Sequence, residues 1–99
     1  MIKSELEKLL IDSFEIKNQS TLDSLYVYYE TLVETSKVMN LTTIVELEEA
    51  YIKHFYDSLL LSKTIDLTKN LTLADVGTGA GFPGLVLKIV YPNLQVTLI

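Results

Sequence analysis

Ninety-nine residues, 48% hydrophobic and 21% charged, have the composition of one small globular domain rather than of a disordered segment. The net charge is −5 and every basic residue is lysine, so this stretch lacks the basic excess of a free-standing nucleic-acid binder. Without cysteine it has neither disulfides nor thiolate metal ligands, and its short, charge-interrupted apolar runs suit neither a membrane span nor a secretory signal.

The first two thirds read as helical. Ile2, Leu6, Leu9, Leu10 and Phe14 recur at spacings of three and four, which predicts one apolar stripe with Lys3, Glu7 and Lys8 away from it. Residues 18–20 are polar and turn-like. Ser20 with Asp23 three positions on predicts an aspartate version of a capping box, opening a second helix. Its stripe is Leu22, Leu25, Tyr26, Tyr29, Leu32 and Val33, and Asn40-Leu41-Thr42 interrupts it. A third helix is predicted over about 47–62, with Tyr51, Ile52, Phe55, Leu59 and Leu60 pointing inward.

The period then changes. Residues 71–76 are short, apolar and β-compatible, and they run straight into glycines. Residues 83–90 read as a helix with Pro83 in its first turn, and Tyr91-Pro92-Asn93 stops it. Residues 94–99 are a second strand. The order strand, glycine turn, helix, strand predicts one βαβ unit. The fold class is therefore α/β, with a helical segment over 1–66 and the start of an open sheet over 67–99.

All four glycines of the chain fall between positions 77 and 84: Gly77, Gly79, Gly81 and Gly84. Glycine permits positive φ and removes the side chain that keeps a ligand from the backbone. A strand-to-helix junction also exposes the first helical N–H groups, which favour an anionic partner. A tight turn of purely structural purpose needs fewer glycines than this. Two cofactor classes compete. Residues 79–84 match the G-x-G-x-x-G of dinucleotide binding, but counting from Gly77, the glycine that follows the strand, puts Phe82 at the third position. Asp75 at the strand's end, followed by G-x-G-x-G, resembles instead the first motif of Rossmann-like S-adenosylmethionine methyltransferases. On that reading the glycines admit the cofactor to the backbone, the helix start favours its carboxylate, and Asp75 accepts from its amino group.

The flanks narrow the resemblance. Asn40-Leu41-Thr42, then His54-x-x-Asp57-Ser58, then the Asp75–Gly84 run with its Phe-Pro-Gly ending, look like the start of the bacterial ribosomal RNA small subunit methyltransferase G family, also called glucose-inhibited division protein B. The resemblance covers essentially the whole chain. It implies the first βαβ unit of a Rossmann-like methyltransferase fold, incomplete here, and an enzyme that uses S-adenosyl-L-methionine to methylate guanine N7 in 16S rRNA of the small ribosomal subunit. It also implies that Gly77 and Phe82 contact the cofactor, with Gly79 and Gly81 shaping the turn between them. Lys53 departs from the arginine that members often carry before the histidine; the charge is kept and the bidentate fork is lost.

Several residues have two readings. His54 and Asp57, at i and i+3 on a helix, suit a structural hydrogen-bonded pair better than a catalytic or RNA-contacting one. The tyrosines at 26, 28, 29, 51 and 56 fit helix packing better than base stacking, because basic neighbours are missing. No catalytic acid or base and no metal ligand is identified. Guanine N7 has no proton to lose, so its methylation rests on in-line positioning rather than on a base. The acidic residue that ordinarily holds the ribose follows the second strand, where this chain stops. The expectation is a cytoplasmic N-terminal piece that is inactive alone. A dinucleotide-binding fragment and a short helical adaptor without catalysis are the alternatives.

Overall fold

A computed structural model describes residues 1–39, 46–75 and 84–98, apart from the side chains of 36–39, 75 and 98. The chain divides into two compact units, Met1–Lys53 and His54–Ile99.

The first unit is helical. Helix α1 spans Lys3–Phe14 and buries Leu6, Leu10 and Phe14. Ile2, expected in that stripe, is instead the residue before the helix and is 66% exposed. Its backbone takes the capping role: the Glu5 carboxylate accepts from the Ile2 N–H at 3.0 Å, so an acidic side chain satisfies a donor that the first turn leaves open. At the other end Glu15 closes α1 in the left-handed region, at φ 54° and ψ 42°. Helix α2 spans Gln19–Met39 and buries Leu22, Leu25 and Leu32, three members of the expected stripe. It begins at Gln19, and Asp23 accepts from Gln19 Nε2 at 3.0 Å. The expected Ser20–Asp23 box is thereby replaced, because the helix starts ahead of Ser20.

The third helical stretch begins as α3 over Leu47–Glu49 and is π-wound over Ala50–Tyr56. It returns to α as α4, Asp57–Leu59, and tightens to 3-10 over Leu60–Lys63. In the first unit α3 packs on α1, and Ala50 and Tyr51 are fully or almost fully buried. The Lys3 ammonium sits 4.1 Å from the centre of the Tyr26 ring, joining α1 to α2, and the Tyr26 and Tyr29 rings meet at 5.9 Å. An exposed ion pair at 3.2 Å links the Met1 ammonium to Glu48 and adds little stability.

The second unit holds the rest of that stretch and the sheet. Phe55 and Leu59 are buried as expected, whereas Leu60 is 39% exposed. A π segment closes i→i+5 bonds and a 3-10 segment i→i+3 bonds, so uniform α spacing does not carry the stripe to Leu60. Strand β1, Thr72–Asp75, pairs in parallel with β2, Gln95–Leu98, in the register Thr72 with Gln95 through Asp75 with Leu98. Helix α5, Gly84–Val90, lies between them in sequence and packs on β1, β2 and α4. The expected strand–helix–strand order and the α/β class are therefore met among the described residues, with parallel pairing as a crossover helix allows. Leu73 and its partner Val96 are half-buried, while Thr72, Ala74, Gln95 and Thr97 are exposed, so the pleat has one packed face and one wet face. Val86, Leu87, Leu67 and Leu94 complete this core.

Candidate functional site

Strand β1 ends at Asp75 and α5 begins at Gly84, so residues 76–83 join the C-terminal end of a parallel strand to the start of its crossover helix. That is where ligands of open α/β sheets bind. Of the residues expected to hold a cofactor, Asp75 is the last residue of β1 and is paired with Leu98, its side chain being outside the described residues. Gly77, Gly79, Gly81 and Phe82 also lie outside the described residues, as does Asn40.

The frame around the turn is well defined. Gly84 is buried at the first position of α5. Burial at that position leaves little room for a side chain. At the far end of α5 the Lys88 ammonium donates to the Pro92 carbonyl at 2.6 Å and to the Leu94 carbonyl. Tyr91 N–H closes on Leu87 O at 2.7 Å, and Gln95 N–H reaches Leu71 O at 2.8 Å. These contacts fix the step from helix into β2 and hence its alignment with β1. Periodicity does not mark Lys88; the available signal is a lysine in a last helical turn just before Tyr-Pro-Asn. On the approach to β1, Asp66 accepts from the Thr68 hydroxyl at 2.5 Å and the Thr68 N–H at 3.1 Å, and Asn93 Nδ2 donates to Thr68 O at 3.1 Å. The two Thr68 bonds hold the Asp66 carboxyl below its usual range, with the Lys69 charge assisting.

His54 and Asp57 are separated by a change of winding. His54 is half-buried in the π segment, Asp57 is exposed at the start of α4, and the Ser58 hydroxyl donates to the His54 carbonyl at 2.6 Å. The expectation that the two share a face assumes α spacing from His54 onward, which the backbone does not have. Among the tyrosines, Tyr51 is buried, and Tyr26, Tyr28, Tyr29 and Tyr56 are half-buried, in keeping with helix packing. Burial raises the Tyr51 hydroxyl above the ordinary tyrosine range, with the Glu7 carboxylate next in effect. Tyr29 is raised by burial, then by Tyr26 and Glu46. A concavity of about 350 Å³ in the helical unit is lined by Glu46, Glu48, Glu49, Ile52 and Lys53, three carboxylates against one ammonium. Among the described residues no group of acidic or histidine side chains is arranged to hold a metal ion, and no helix is long and apolar enough to cross a membrane.

Comparison with known proteins supplies what the frame leaves open. The family model described as GidB, rRNA small subunit methyltransferase G, matches residues 21–99. The chain is 58% identical over 72 residues to the Ribosomal RNA small subunit methyltransferase G of Staphylococcus saprophyticus subsp. saprophyticus, covering 73% of this chain and 30% of that protein. It is 52% identical over 82 residues to the protein of the same name from Halalkalibacterium halodurans, covering 83% of this chain and 34% of that one. Against the one from an Exiguobacterium species it is 49% identical over 94 residues, covering 95% and 39%. The chain thus spans about a third of the length of the curated relatives it matches. A match across four fifths of the sequence, including β1, α5 and β2, shows that the chain belongs to the rRNA small subunit methyltransferase G family.

Proposed function

We propose that this chain is the N-terminal part of an S-adenosylmethionine-dependent methyltransferase acting on N7 of a guanine in 16S rRNA of the small ribosomal subunit, in the cytoplasm. Residues 1–66 form a helical extension in this reading, and 67–99 begin a Rossmann-like cofactor-binding domain. One observation carries it: in a chain of this family, the glycine-rich residues 76–83 connect a parallel strand to the crossover helix that packs beside it.

The residues present fit the cofactor. A backbone rich in glycine lets a ligand approach closely, and Gly84 is buried at the first position of α5. In this reading Gly77, Gly79 and Gly81 would shape the turn around the ligand, and Gly77 and Phe82 would contact it. Asp75, at the strand's end, would accept from its amino group directly or through water. When bound, S-adenosylmethionine supplies a methyl group activated by its sulfonium. This chain's residues would contribute by holding the cofactor, and no general base is called for, because guanine N7 carries no proton. The acidic surface of this stretch leaves most of the phosphate contacts to residues outside it.

The test is calorimetry on a chain of the relatives' full length, titrated separately with S-adenosylhomocysteine and NAD. Binding of the first alone is expected, and binding of NAD alone overturns the proposal. Gly79→Val should weaken S-adenosylhomocysteine binding at least about tenfold, since a branched side chain stands where backbone approach is needed. Methylation of 16S rRNA is expected from the long chain and not from these 99 residues.

A further inference from the structure

We draw no further inference here: the strongest candidate, the acidic concavity of the helical unit lined by Glu46, Glu48, Glu49, Ile52 and Lys53, is a carboxylate cluster with no second feature in the structure that points to a ligand.

Discussion

Glu15 occupies a backbone region that costs a residue with a Cβ about 1–2 kcal/mol and costs glycine almost nothing. Its position, just past α1, is where helices commonly place glycine. Glu15→Gly should therefore stabilise the protein by roughly 0.5–1 kcal/mol, once the extra entropy of an unfolded glycine is subtracted. Urea unfolding measures it, and a loss of stability would show that the glutamate side chain contributes more than its backbone strain costs. Tyr51 offers a test through pH. Burial, then Glu7, then Tyr26 and Tyr29 raise its hydroxyl, so the folded protein keeps a proton that the unfolded chain releases from about pH 10. This contribution is complete below the unfolded value and is lost as pH rises above it. Between about pH 9 and 11 the unfolding free energy should fall more steeply for the native sequence than for Tyr51→Phe; equal slopes would refute the assignment. Phe55, fully buried, is simpler: Phe55→Ala should cost about 3–5 kcal/mol. For a domain this small that approaches the whole margin of stability, so thermal melting of the variant should show loss of the cooperative transition.

Among the elements, the helix-to-strand step after α5 is held in part by one exposed lysine. Lys88→Met keeps the aliphatic stem and removes both bonds, to Pro92 and to Leu94. A charged hydrogen bond contributes about 1.5–3 kcal/mol, and exposure reduces that, so a loss of roughly 1–2 kcal/mol is expected. Hydrogen exchange would locate the effect: faster exchange at Gln95, whose N–H pairs with Leu71 O, and little change in α1 or α2. An even change across the chain would contradict a local clamp. The elements also divide by how much of each the sequence reveals. Helices α1 and α2 and the β1–α5–β2 order are legible because their apolar spacing agrees with ordinary α or β periods. The π and 3-10 segments are not, since winding depends on tertiary packing and leaves no mark in a three-and-four spacing; Leu60 is the residue displaced by it. Ser20 suits a cap by residue type, yet the helix begins at Gln19. The glycine turn is the reverse case. The run from Asp75 to Gly84 stands out as a motif by residue type alone, and the family match spans the same segment.

At the scale of the whole molecule the chain divides into two compact units, Met1–Lys53 and His54–Ile99, and each has buried side chains. Leu10, fully buried in the first unit, and Leu87, fully buried in the second, are suitable probes. Leu10→Ala and Leu87→Ala should each cost about 2–5 kcal/mol, and exchange protection should fall first in the unit that carries the change. The parallel pairing of β1 with β2 has a further consequence, for the order of events during synthesis. In the first unit α1 packs on α3, so that contact forms only once Leu47–Glu49 has emerged. Strand β1 waits in the same way for its own partner. Thr72 meets Gln95 only after the glycine run, α5 and its closing turn have all been translated. During that interval the unpaired backbone of β1 and its Leu73 side chain stand open beside unfinished chain, and it is then that a nascent protein of this design is open to a chaperone.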